Sequence, residues 1–262
     1  MTDDATRVLL DRFLGAVRPS LPLVALWAHG SLGGGDYQPG RSDLDLIAVV
    51  ARPCTAEEER AVEDAHERLE RDMPLAAKLH CSYVAVPEAA DPGQDHLTWA
   101  HQELFRRPVT PVTRRELHDF GLVIHGLTPA SILPPVTDEE LKGFVAGDLA
   151  GYWRPSLEFP EEYQEDIWID LSLLTLARAT VTLREGRLIT KREALDVLAR
   201  LGAPAEVVDD IRRRRYETPA PAPASPEWRT RRAALTLDYL APAIDRTVSA
   251  HDLQRGHPRQ ER

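Results

Sequence analysis

Cysteine is almost missing. Cys54 and Cys81 are the two in a chain of 262 residues, too few for a disulfide framework, and Cys81 stands inside the apolar run LHCSYVAV that reads as a buried strand. A reducing, cytoplasmic setting is therefore expected. Long hydrophobic runs are missing as well: no stretch approaches the roughly 20 apolar residues of a membrane helix. The opening MTDDATRVLLDRFLG places acids ahead of its short apolar stretch, which predicts neither an export signal nor a membrane span. Positive charge is in deficit, with Lys plus Arg at 32 against 42 for Asp plus Glu, a net charge of −10. Such a surface repels phosphate backbones and argues against a nucleic-acid partner. What is present, 43% hydrophobic and 28% charged residues, excludes disordered and fibrous classes and suits one large or two modest globular domains.

The first half of the chain alternates helical and extended patterns. Val8, Leu9, Leu10, Phe13, Leu14 and Val17 recur at helical spacing until Pro19 and Pro22 close the helix. LVALWA (23–28) reads as a strand, HGSLGGGDYQPGRS (29–42) as a long Gly- and Ser-rich turn, and DLDLIAVV (43–50) as a second strand. Thr55 and Glu58 form a capping-box pattern ahead of a helix with Val62, Ala65 and Leu69 on one face, and LHCSYVAV (79–86) is a third strand. Beyond Pro134 and Pro135 the pattern becomes almost purely helical. Thr137/Glu140 and Thr190/Glu193 are further capping boxes, 166–185 is an apolar-rich helix, and 204–216 follows Pro204. The Pro/Ala linker TPAPAPASP (218–226) leads into a last helix through about 247. The expected organisation is α/β (α+β): a small mixed-sheet domain over 1–133, an all-α helical-bundle domain over 134–250, and a disordered tail over 251–262.

The chemistry concentrates between residues 30 and 45. Side chains alternate along a strand, so Asp43 and Asp45 project to one side, where two carboxylates are suited to a hard divalent cation such as Mg²⁺. Gly30 and Ser31 end the preceding strand, where glycine admits close approach and consecutive N–H groups can cradle phosphate oxygens. Ser42 adjoins the Asp pair. A phosphate grip beside a metal site is the equipment for moving a nucleotidyl group from a nucleoside triphosphate. Taken singly, each piece reads as a solvated strand end or a flexible turn. Together, with an apolar run directly after the Asp pair, they call for a cationic partner.

These residues resemble the GS…DxD signature of the polymerase-β-like nucleotidyltransferases, whose two Asp bind divalent metals, with the Ser31 to Asp43 gap one residue longer. The domain order and the segments HGLTPASILPPVTDEEL and LTLARATVTLREGRLITKREA are similar to the aminoglycoside 3''-adenylyltransferases, over roughly residues 20–216. The resemblance implies ATP as co-substrate with Mg²⁺, and transfer of AMP to a hydroxyl of a small, cationic acceptor such as an aminoglycoside. It places Lys191 on the ATP phosphates, Tyr216 beside the adenine and Trp153 among the acceptor-binding aromatics. Lys191 has an argument of its own, since a cation in a helix's first turn opposes the macrodipole unless an anion sits there. The acceptor-binding acids have no direct counterpart: the equivalent slots hold Gln164 and Trp168, with Asp166 and Asp170 nearby.

The family's third carboxylate, the base that deprotonates the attacking hydroxyl, is also missing. On LHCSYVAV its parity falls to His80 and Ser82, which makes His80 the candidate base, with a core histidine as the alternative. A monomer acting on ATP and a small molecule is expected. The rival reading is a catalytically weak or inactive nucleotide-binding protein of regulatory or antitoxin type, and a metabolite or protein hydroxyl is the alternative acceptor.

Overall fold

The computed structural model describes residues 3–219 and 222–256, and the chain divides into two compact units, Met1–Val136 and Thr137–Arg262. The first unit opens with α1 (Asp4–Val17), whose first turn is closed by Asp3 accepting from the Thr6 N–H at 3.1 Å. Then come β1 (Leu23–Ala28), the single-turn α2 (Gly30–Gly33), β2 (Leu44–Val50), α3 (Ala56–Asp72) and β3 (Leu79–Ala85). Residues with no clean sequence period supply β4 (Asp95–Ala100), β5 (Glu103–Pro108), α4 (Pro111–Phe120) and β6 (Leu122–Gly126).

The six strands form one mixed sheet in the order β5-β4-β3-β2-β1-β6. β2 and β3 run parallel and every other pair is antiparallel. Leu46, Ala48 and Val50 of β2 face α1 and α3, while Ile47 and Val49 face Leu117 of α4. Cover on both faces is the reason LIAVV is apolar without a break.

The region 29–42, expected to be one long turn, contains α2. Gly33 and Gly34 donate back to the carbonyls of His29 and Gly30 at 3.2 and 2.9 Å. Glycine-rich sequence disfavours a helix, and here glycine admits the close approach of α4: a Cβ on Gly33 would stand 2.7 Å from the Phe120 carbonyl oxygen.

The second unit holds α5 (Asp138–Asp148), a π turn (Leu149–Trp153), α6 (Arg154–Ser156), α7 (Asp166–Glu185), α8 (Lys191–Arg200), α9 (Ala205–Tyr216) and α10 (Pro226–Gly256). The three expected capping boxes are all formed, at Thr55/Glu58, Thr137/Glu140 and Thr190/Glu193. The last helix does not end near 247 but runs to Gly256, so residues 251–256 are helical rather than a disordered tail. Burial of His251 explains this, since the helix still has a packed face there. Residues 257–262 of that expected tail lie outside the described residues. Among the described residues no helix is long and apolar enough to cross a membrane.

The core of the first unit contains a titratable group. His66 of α3 is buried, stacks on Trp99 with centroids 4.7 Å apart at 13°, and meets the Tyr83 hydroxyl at 2.8 Å. Burial pushes its pKa down from 6.5 to about 3. The folded value lies below the unfolded one, so the unfolded chain takes the proton first. This contribution to stability is complete above pH 6.5 and is lost as pH falls toward 3, at about 1.4 kcal/mol per pH unit. Urea melts between pH 7 and pH 4 are expected to be less pH-dependent for His66→Gln than for the unaltered protein. Parallel losses in the two would remove His66 as the cause.

Candidate active site

The site begins where β1 ends. Gly30 takes φ of +57°, open to glycine, and a Cβ there would lie 2.4 Å from Asp45 Oδ2. Any side chain at residue 30 would therefore displace the Asp45 carboxylate. Ser31 follows in α2, and its Oγ is buried with no hydrogen-bond partner among the described residues. A buried hydroxyl left without a partner carries a desolvation penalty that an oxygen-rich ligand would relieve.

Asp43 immediately precedes β2 and Asp45 is its second residue. Their side chains are 44% and 32% exposed, so both can meet a ligand. Lys78 Nζ stands 3.4 Å from Asp43 Oδ1. Ser42 is buried and its hydroxyl accepts the Gln38 N–H at 3.1 Å, which closes the loop leading into the Asp pair.

His80 of β3 pairs in register with Asp45 and places Nδ1 3.8 Å from Asp45 Oδ1. Burial lowers its pKa, and His101 and Arg107 lower it further, against the opposing pull of Asp43 and Asp45. The lowered pKa favours the neutral imidazole, the form able to accept a proton. Its ring meets that of His101 edge-on, with centroids 4.8 Å apart. His101 and Gln102 form the β4–β5 turn with φ of +54° and +64°.

The residues of this corner fit a nucleoside triphosphate with a divalent cation. Asp43 and Asp45 are hard oxygen donors, Gly30 leaves room against the carboxylate, and the Ser31 hydroxyl lacks a partner among the described residues. Among the described residues no three His, Cys, Asp or Glu side chains converge on a metal position. Asp43 and Asp45 are two carboxylates, the number by which Mg²⁺ is usually held together with substrate phosphates.

Within the helical unit, Lys191 is the first residue of α8 and Tyr216 the last of α9. The Arg192 guanidinium lies 3.9 Å above the Tyr216 ring, which brings these two helix ends into one corner. Trp153 is buried, donates from Nε1 to Asp148 Oδ2 at 3.0 Å, and packs edge-on against Tyr152 and Trp168. Asp170 is buried and bound to Arg214 at 2.6 Å, while Asp166 binds the fully buried Arg232 at 2.6 Å. These two acids, singled out for a cationic acceptor, are thus engaged by arginines of the same unit.

Sequence reasoning missed Lys78, His101 and His29. Strand parity would have found Lys78, two residues before His80. The His101 turn lacks the Asn-Gly or Gly signature of a two-residue hairpin and left no signal.

No protein-family model matches the chain, and no curated protein matches it by sequence. Among solved structures, the spectinomycin adenyltransferase AAD(9) of Enterococcus faecialis, with ATP and spectinomycin, aligns with a TM-score of 0.66 at 17% identity. The alignment covers 91% of this chain and 99% of that one. The chain has an aminoglycoside-adenylyltransferase-like fold. E. coli MS115-1 CdnC, with ATP, aligns at a TM-score of 0.32 and 13% identity over 97% of this chain and 85% of that one, a score too low to bear on the fold. The mixed sheet with its Gly-Ser turn and Asp pair lies in the first of the two units and the helices from Thr137 onward make up the second.

Proposed function

We propose that the protein is a nucleotidyltransferase that moves AMP from ATP, with Mg²⁺, to a hydroxyl of a small, cationic acceptor. The observation that carries this reading is the Asp45 carboxylate lying over Gly30, beside a buried Ser31 hydroxyl without a partner among the described residues. Gly30, Ser31 and the Ser42-closed loop receive the triphosphate, and Lys191 is the phosphate ligand that the family resemblance implies for the helical unit. Tyr216 offers a ring to the adenine. Asp43 and Asp45 would hold Mg²⁺, which when bound offsets the triphosphate charge and polarises the phosphoryl group.

In the transfer, the acceptor oxygen forms a bond to the α-phosphorus as the bond from that phosphorus to the bridging oxygen breaks. Pyrophosphate leaves with the bond electrons, and His80 takes the proton of the acceptor hydroxyl. His80→Ala is expected to lower kcat by about 10²–10⁴-fold while leaving the Kd for ATP unchanged. Wild-type turnover in that variant would place the base elsewhere.

Trp153, Asp166 and Asp170 are the proposed acceptor-side residues. Asp166, with half of its side chain exposed, is the carboxylate with surface left for a cation, whereas Asp170 acts through Arg214. The AAD(9) structure contains spectinomycin, which makes spectinomycin and related aminocyclitols the first acceptors to try. This reading takes the protein as a cytoplasmic monomer. The deciding test is an acceptor screen with α-labelled ATP, expected to give labelled acceptor and released pyrophosphate. A second reading, a nucleotide-binding regulator, is favoured by a histidine where related enzymes carry an acid, and metal-dependent ATP binding without transfer to any acceptor would select it.

A further inference from the structure

One buried polar pair near the site is not used by the reaction as described. His29 is the first residue after β1 and is still extended, with φ of −137° and ψ of −151°. Its backbone N–H donates to the Asp45 carbonyl at 3.0 Å and its carbonyl accepts from Gly33 at 3.2 Å. The β1–β2 register pairs Ala28 with Leu46 and Trp27 with Ile47, so the next step sets His29 opposite Asp45. Asp45 is in turn opposite His80. Directly opposed residues share a sheet face, so His29, Asp45 and His80 form one row across three strands. It lies on the face that carries α4, where Trp27, Ile47 and Val84 pack with Leu117.

On that face His29 Nδ1 meets Glu116 Oε2 of α4 at 2.9 Å, with the two side chains 12% and 8% exposed. Phe120 stands one turn further along α4, with its ring 3.2 Å and its carbonyl oxygen 2.7 Å from where a Cβ on Gly33, the last residue of α2, would lie. Residues four apart share a helix face, so a single face of α4 grips the Gly-Ser turn at both ends. A buried histidine–carboxylate pair is a poor device for stability alone, because desolvation offsets most of its attraction. Elsewhere β1 meets this layer with Ala25 and Trp27. The polar pair occurs at the residue that joins the sheet to the phosphate cradle.

We propose that His29 is a positioning residue of the nucleotide site: anchored to Glu116, it sets the direction in which Gly30 and Ser31 leave the sheet relative to the Asp45 carboxylate. The inference rests on the nucleotidyltransferase reading. It assigns Glu116 no contact with nucleotide, its effect passing through the His29 ring. The expected size is that of an outer-shell partner of a ligand-binding group, about 10–100-fold in affinity.

The test is calorimetric titration of ATP with Mg²⁺ into the full-length protein and its His29→Ala, Glu116→Ala, double and His29→Asn variants. Far-UV circular dichroism and thermal melts are run on each. His29→Ala and Glu116→Ala are expected to raise Kd by the same factor, about 10–100-fold, and the double variant by no more than either. His29→Asn keeps an N–H donor near the place of Nδ1 and is expected to restore affinity to within about threefold of wild type, a rescue that a general loss of stability would not produce. Should the alanine variants fail to fold, His29→Asn against His29→Leu carries the same comparison. Unchanged Kd in the folded variants overturns the inference while leaving the nucleotide site intact. A loss at His29 that Glu116→Ala does not reproduce overturns it also, since His29 would then act on the ligand directly. Failure of the unaltered protein to bind ATP overturns the functional reading and the inference together.

Discussion

Asp45→Asn is expected to remove metal-dependent ATP binding and, with an acceptor in hand, to cut AMP transfer by about 10²–10³-fold, the size of effect seen when one preorganised electrostatic group is lost from a reacting phosphate or carbonyl. Asparagine keeps the shape of the side chain over Gly30 but not its charge, so the fold is preserved and the melt unchanged. The argument is electrostatic. Two carboxylates facing a triphosphate repel it, and a divalent cation turns that repulsion into attraction. Removing one carboxylate weakens the attraction for the cation more than it relieves the repulsion of ATP. Titration with ATP should therefore show affinity that chelator abolishes in the unaltered protein and that is weak, with or without metal, in Asp45→Asn. Asp43→Asn is expected to behave alike but more mildly, because Lys78 at 3.4 Å already offsets part of the Asp43 charge. Equal ATP affinity with and without metal in the unaltered protein would end the assignment of the Asp pair.

Arg232→Ala is expected to be the most destabilising single change in the helical unit. Arg232 of α10 is fully buried and binds Asp166 at 2.6 Å and Asp210 at 3.0 Å. Arg214, mostly buried, binds Asp210 at 3.0 Å and Asp170 at 2.6 Å. The result is a chain of charges linking α7, α9 and α10. Burial opposes ionisation of Asp210, but its two arginines outweigh this and hold its pKa below the usual carboxylate value. Truncating Arg232 strands carboxylate charge with fewer partners and opens a void. Breaking a buried pair from one side costs about 3–5 kcal/mol, or roughly 6–20 °C in melting temperature at about 2–4 °C per kcal/mol. Arg232→Met, which fills the space without charge, is expected to lose the same ion pairs but less packing. A melt of Arg232→Ala within about 2 °C of wild type would show that the network adds no net stability. If the proposed acceptor role of Asp166 holds, a cation arriving there would meet a carboxylate already aimed and partly neutralised by Arg232.

Local signals on this chain were read correctly because the forces behind them act within a few residues. Thr55, Thr137 and Thr190 cap helices through partners three positions on, and the apolar run of β2 is the direct imprint of cover on both faces. Glycine at residue 30 was legible as close approach, and alternation along β2 put Asp43 and Asp45 on one side. α2 and the extension of the last helix were not legible. Phe120 packs close to the first, and the second is marked by the burial of His251, a tertiary property that local sequence does not carry. The row His29, Asp45, His80 depends on which strands become neighbours and in what register. Composition and periodicity do not carry that information, since a shift of one residue would turn every side chain to the other face. The sequence by itself determined α1, β1 to β3, α3 and the helices beyond Thr137, together with the Gly-Ser turn and the Asp pair, whereas β4, β5, α4 and β6 carry no clean period and emerged only in the fold. Only the tertiary structure decided that Gly30 lies under Asp45, that α4 holds the turn through Glu116, and that Asp166 and Asp170 belong to arginines, because each of these is a contact between chain segments that pairing and packing alone bring together.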